Sequence, residues 1–338
     1  MHDCGLVASG DIVVNGTLVA GRADSLADAR IAAGGTFTIG EGANVTIYGG
    51  FNDAIINATT SPSLWRDYGA VASAGGAMTV NGSLALNGER LSGSPVKVAA
   101  KSLYIGAAGV VHADQGGWAR DVIFGIETDY APGGQNGGSY NGGAYGGFGG
   151  GYNNPKDYGN KRTYGDALRP YLPGSPGGNW SEIRGGGALR IEVEGSLRNV
   201  GTIRANGTTA GGGSGGGSGG GIWISCGKFV NGADASLLAQ GGGNTGDNGG
   251  CGGGGRILVC EKLTPAQIDA LYATGVAPRK VTATEVTDEN VAEVFAGTVS
   301  AAGGFSTRNG ATNPYWNGTA GSIWHLAGKA TKFIIGVR

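Results

Sequence analysis

The densest cluster of groups able to do acid–base chemistry is VVHADQGGWARD, which places His112, Asp114, Arg120 and Asp121 within one short stretch. Carboxylates beside an arginine are the equipment of polysaccharide cleavage. A paired acid and base hydrolyse a glycosidic bond, and a cationic base held near acids drives elimination. If the chain is an enzyme, Asp114, Arg120 and Asp121 are the expected catalytic groups. The competing reading of the same residues is turn caps and solvated polar groups, because Asp, Gln and Gly in succession are turn chemistry.

The other reactive residue types form no such cluster. The three histidines, His2, His112 and His325, lie far apart, so no Ser/His/Asp arrangement can be argued from the sequence. Of the four cysteines, Cys226 and Cys260 fall 34 residues apart at equivalent places in a repeat. Residues stacked on adjacent strands sit about 4.8 Å apart, close enough for a disulfide. Cys251 with Cys260 is the competing pair, and burial as small apolar thiols competes with both. No CxxC or neighbouring histidine suggests zinc. Glycine runs can cradle phosphate, but only with Gly-Lys-Ser/Thr opening a helix, and here each run leads into an apolar strand. The stretch GGGNTGDNGG around Asp247 approaches a calcium nonapeptide without repeating it. No metal or cofactor is expected.

Aromatic residues concentrate between about 129 and 187. Tyr145, Tyr152, Tyr158, Tyr164 and Trp180 offer flat faces of the kind that stack on sugars, and they are the candidate ligand contacts. Rings that fold back and pack against the rest of the chain are the alternative.

The elements that must position these groups are strands. Asp11–Leu18 (DIVVNGTL) matches Ala77–Leu84 (AMTVNGSL) at an offset of 66, and the same offset lays Thr36–Gly40 on Ser102–Gly106. Later, Gly185–Gly187, Gly219–Gly221 and Gly253–Gly255 recur every 34 residues, each ahead of a short apolar strand. Short runs of Val, Ile, Thr and Leu ended by Asn-Gly or Gly-Thr are strand and turn chemistry. Units repeating in one direction without helical crossovers predict stacked parallel strands. Ile12, Val14, Leu18, Met78, Val80 and Leu84 are then inward, and Asn15 and Asn81 stack at one corner. The expected fold is all-β: a right-handed parallel β-helix with long glycine-rich loops over residues 1–261, including a Gly/Tyr-rich excursion at about 129–187. Residues 262–338 are expected to form a small α/β cap. There Thr264, Pro265 and Gln267 make a capping box ahead of a helix ending at Gly275, a second short helix follows near 288–295, and terminal strands lie near 322–326 and 332–337.

Glycine accounts for 73 of 338 residues, about three times the usual share of ~7%. The 40% hydrophobic content, patterned in alternation, argues for a buried core rather than disorder. A net charge of −1 with 14% charged residues leaves no basic stripe for phosphate neutralisation, so nucleic acid is not an expected partner. No apolar run is long enough to span a membrane as a helix. The start, MHDCGLVASGDIVV, has no basic and apolar leader, and the expectation is a fragment whose export signal lies upstream or was removed.

Several pieces occur in a specific order: Tyr164-Gly-Asp166, Pro173–Gly178 (PGSPGG), then GGGALRIEV, GGGSGGGSGGGIWIS and GGCGGGGRILV. Over a little more than a third of the chain this order resembles glycine-rich repeat proteins found within large bacterial surface or autotransporter-like proteins. The resemblance implies a secreted or cell-surface parallel β-helix with glycine loops, and it implies no reaction. The expected function is an extracellular structural or adhesive module, non-catalytic and able to bind polysaccharide or cell-surface glycan and to self-associate. The alternative is a carbohydrate-active enzyme, a lyase or a glycoside hydrolase.

Overall fold

The computed structural model describes residues 2–23, 27–50, 69–89, 93–119, 121–123, 126–128, 140–151, 163–178, 182–246, 249–307 and 314–329. Three parallel ladders run through them. The first contains β1 (His2–Ala8), β4 (Asp28–Ala33), β7 (Ala70–Ala74), β10 (Val96–Ala100), the first half of β15 (Ala188–Asn199), that of β17 (Gly221–Asn231), β19 (Arg256–Glu261) and β22 (Ser322–Gly328). The second contains β2 (Ile12–Val14), β5 (Phe37–Ile39), β8 (Ala77–Val80), β11 (Ser102–Ile105) and the second halves of β15 and β17. The third is a separate sheet of seven strands: β3 (Thr17–Ala20), β6 (Asn44–Tyr48), β9 (Ser83–Asn87), β12 (Val110–His112), β16 (Thr202–Arg204), β18 (Ser236–Leu238) and β21 (Thr298–Ser300). Among the described strands, β13 (Asp121–Ile123) pairs antiparallel with β14 (Ile126–Thr128) and β20 (Val281–Glu285) with β22, and isolated antiparallel bridges join Ala119 to Arg184 and Asp166 to Arg169.

The right-handed β-helix expected from the repeats is corrected by this strand order. With β20, the first two ladders are one 13-stranded sheet, joined through β15 and β17, which at 12 and 11 residues run on through Gly195 and Gly227 beyond the short strands that the repeats mark out. The sheet's path starts at β1, doubles back at β15 and ends at β2, only a few residues after β1 in the chain. It is a large, mostly parallel sheet curled into a near-barrel beside a second parallel sheet. A coil of equivalent single-strand faces does not describe it.

Alternation decides what lies inside. Ile12, Val14, Met78, Val80 and Leu84 are buried with Phe37, Ile39, Val98, Ile191, Ile224 and Val259 in one continuous core, and Leu18 packs against it. The 66-residue repeat spans two strand layers, since Phe37 pairs with Ile12 on one side and Met78 on the other. The corner asparagines therefore do not stack directly. Gly40 lies beside the Asn15 amide and Gly106 beside that of Asn81, each where a β-carbon would collide with the side-chain oxygen.

The glycine runs form a second kind of core. Along residues 250–255 successive N–H groups donate in rotation to three different neighbours. Gly250 and Gly253 bond Tyr140 and Gly143, Cys251 and Gly254 bond Trp316 and Thr319, and Gly252 and Gly255 bond Gly242 and Ala239. Residues 215–220 repeat the rotation: Gly215 and Ser218 reach Gly178 and Ser175, Gly216 and Gly219 reach Gly250 and Gly253, and Gly217 and Gly220 reach Thr208 and Ala205. A donor direction that recurs every third residue is the signature of a polyproline-II-type helix. Such a helix makes no internal hydrogen bonds and must satisfy its backbone on neighbours. Packing at that closeness leaves room for a side chain only at Ser218 and Cys251 within these two segments. A β-carbon on Gly252 would press into the carbonyl of Gly217, and one on Gly215 into that of Asn141. Residues 140–151 and 174–178, read from the sequence as part of an excursion, hydrogen-bond into this bundle.

The C-terminal region lies over the large sheet. Helix α1 (Pro265–Thr274) is capped by Thr264 and Gln267 in a reciprocal box and ends at Gly275 in a left-handed conformation. It sets Leu271 and Tyr272 against Trp223, Leu258 and Leu326 in a smaller apolar cluster on the sheet's outer face. Helix α2 (Val291–Val294) is a single turn. Among the described residues no helix is long and apolar enough to cross a membrane. The strand expected near 332–337 lies outside the described residues.

Candidate functional site

The sequence-derived candidates divide into packing groups and undescribed positions. Asp114 follows β12, its Oδ1 accepting the Asn206 N–H at 2.8 Å and its Oδ2 lying 2.5 Å from Arg204 Nε on β16. His112 Nδ1 is 3.7 Å from the same carboxylate. Asp114 thus ties the turn after β12 to the next strand, while Arg120 and the Asp121 side chain lie outside the described residues. Burial pushes the His112 pKa below its ordinary 6.5, opposed by the Asp114 charge and reinforced by Arg204. The unfolded chain consequently takes up a proton that the folded site refuses, and stability falls as the pH drops below 6.5. In His112→Gln, denaturant midpoints measured between about pH 5 and pH 7 are expected to vary less with pH than in the wild type.

Tyr145 and Tyr164 do not form a sugar platform. Tyr145 is wholly buried, its ring centroid 4.8 Å from that of Tyr164 and 5.4 Å from the Arg256 guanidinium carbon. Arg256 also donates from Nε and Nη2 to the Tyr164 carbonyl, and the Tyr164 hydroxyl donates to the Pro173 carbonyl at 2.5 Å. The rings wedge between the glycine bundle and the sheet. Tyr152, Tyr158 and Trp180 lie outside the described residues.

Cys226, Cys251 and Cys260 are free, buried thiols. The 34-residue spacing misleads here because β17 and β19 pair with a 35-residue offset. Cys226 opposes Glu261, and Cys260 opposes Ser225. A one-residue slip sends the two sulfurs to opposite faces of the sheet, Cys226 to the main core and Cys260 beneath α1. Burial pushes the Cys251 and Cys260 thiols up to about 12, so they are poor nucleophiles. Asp247 lies outside the described residues, and among those described no three His, Cys, Asp or Glu side chains converge on a metal position.

A concave feature of the described residues lies elsewhere, across the outer face of the first ladder. It is a groove of about 890 Å3 running from β1 to the start of α1. Strand registers give its floor: Val7, Ala32, Ser73, Ala99, Glu192, Ser225 and Cys260 lie in one row across seven strands. The neighbouring row reads Gly5, Arg30, Val71, Lys97, Arg190 and Trp223. At the helix end, Glu192 is held between Arg190 Nη2 and Lys97 Nζ, the latter at 2.5 Å. The Arg190 guanidinium lies 4.5 Å from the Tyr272 ring centre, and Tyr272 stacks on Trp223 at 4.3 Å and 13°. Arg190 is only 6% exposed, yet its Nε and Nη1 make no hydrogen bond, and neither does the buried Ser225 hydroxyl.

No known family model, curated protein or solved structure matches the chain.

Sequence reasoning missed this groove although its polar residues were legible. In ALRIEVEG, period-2 alternation turns Arg190, Glu192 and Glu194 outward while Leu189, Ile191 and Val193 turn in. What was illegible is that six other strands contribute small residues in the same row.

Proposed function

We propose that the chain is an extracellular structural or adhesive module that binds glycans and breaks no bonds in them. The observation that carries this reading is the groove on a rigid scaffold. An extended depression crosses parallel strands that are backed by an apolar core, and three of those strands follow directly on glycine segments hydrogen-bonded to one another. A site for recognition needs such preorganisation and little else. The ordered glycine pieces from Tyr164 to Leu258, similar to glycine-rich repeats of large bacterial surface proteins, support a place at the cell surface. The edges of β1, β2 and β3, each paired on one side among the described residues, with Val7, Val13 and Val19 exposed, support self-association as part of adhesion.

One observation favours the enzymatic alternative. Glu192 and Glu194 line the same groove from one strand face, and two carboxylates are what glycoside hydrolysis uses. The readings separate in one assay. The chain is incubated with acidic and neutral polysaccharides, and new reducing ends, unsaturated ends and retained protein are measured together. Retention without new ends is expected. New ends lost in both Glu192→Gln and Glu194→Gln would replace the non-catalytic reading with the enzymatic one.

A further inference from the structure

We infer that the outer groove is the binding site for a single, unbranched acidic polysaccharide chain lying across the strands; this rests on the glycan-binding reading above. Three features of the groove select that occupant.

Its dimensions come first. Seven strands at about 4.8 Å spacing give a floor about 29 Å long, so 890 Å3 corresponds to a mean cross-section of about 30 Å2. A depression of that length and width suits one extended chain lying along it.

The floor comes second. Val7, Ala32, Ser73 and Ala99 form a strip of small, weakly polar residues on which the apolar faces of sugar rings can lie.

The flank comes third. The groove's lining carries the cations Arg30, Arg190 and Lys262 against the acids Glu192 and Glu194, and Lys97 lies between Arg30 and Arg190 in the adjoining row, two strands from Arg30, so the balance is positive. The floor acid, Glu192, is already neutralised by Lys97 and Arg190. A ligand with carboxylates at regular intervals matches these cations. Its hydroxyls can take up the bonding capacity left open at the closed end, where the nine-tenths-buried Arg190 has free Nε–H and Nη1–H donors and Ser225 an unpaired hydroxyl. Helix α1 stops the groove there, so the chain enters from the β1 side and ends against Thr264 and Ile268.

The test is equilibrium binding of the full chain to polygalacturonate, dextran and poly-glutamate. Ser73→Trp fills the floor, Arg30→Glu reverses the outermost cation, and Thr38→Trp, outward on the second ladder, is the control. The expected result is polygalacturonate bound at least tenfold tighter than dextran, weakened at least tenfold by Ser73→Trp, severalfold by Arg30→Glu and by added salt, and unchanged by Thr38→Trp. Should Ser73→Trp fail to fold, judged by circular dichroism, the exposed Arg30 variant and the salt series still decide. Wild-type binding no tighter than to dextran, or equally weakened by Thr38→Trp, would overturn the site. Poly-glutamate bound as tightly as polygalacturonate would overturn the sugar assignment. Cleavage of polygalacturonate lost in Ser73→Trp would keep the site and overturn the non-catalytic reading instead, so the two failures are distinct.

Discussion

Gly252→Ala is expected to prevent folding or to cost roughly 3 kcal/mol or more, whereas Gly16→Ala is expected to be neutral or slightly stabilising. The difference lies in what a single methyl meets. At Gly252 the β-carbon position is filled by the carbonyl and carbon of Gly217, backbone atoms fixed by their own bonds in the bundle. At Gly16 nothing lies within 4 Å, and φ is not in the left-handed range. Relieving the first clash means separating two segments that are each bonded to three neighbours, so the loss is shared by the bundle rather than absorbed by a rotamer. Denaturant unfolding of the two variants beside the wild type checks this. Similar midpoints for both would mean that the glycine segments are not packed as described.

Trp223→Ala is expected to lose about 3–5 kcal/mol, the cost of truncating a fully buried aromatic side chain. Trp223 is 1% exposed and carries the stacked Tyr272, which itself covers the Arg190 guanidinium. Removing the indole undercuts α1, so the loss should appear first as proteolytic cleavage between 262 and 280 and only then as global unfolding. Because α1 closes the groove, the same variant should bind glycan more weakly even where it remains folded. An intact helix under limited proteolysis would contradict the stacking as the means of its attachment.

Local chemistry was legible in the sequence wherever it acts over a few residues. The capping box of α1 needed only Thr264, Pro265 and Gln267, and the inward faces of β2, β8 and β9 needed only alternation. Two things were not legible. The first is the number of layers between repeats: Phe37 and its neighbours form a strand too unlike β2 and β8 to be recognised as an intervening partner, so the 66-residue period was taken as one step. The second is where strands continue through a glycine. Gly195 and Gly227 lie beyond the short strands that the repeats mark out, yet β15 and β17 pass through them with a register shift near Val193, and this welds two ladders into one curled sheet. The cysteine pairing failed for a related reason, a 35-residue offset where the glycine triplets recur at 34. The candidate site stayed hidden because its floor is made by residues such as Ala32, Ser73 and Ala99, which carry no chemical signal until seven strands are set side by side.

A rigid groove requires the glycine-rich segments to be a closely bonded scaffold. Amide hydrogen exchange read at residues 215–220 and 250–255 tests that directly. In the bundle every one of these N–H groups donates to a carbonyl of another segment, so exchange requires the bundle to open. Protection comparable to that of β17 is predicted. Exchange at the rate of an unstructured chain would contradict the scaffold, and with it the rigid groove on which the proposed function rests.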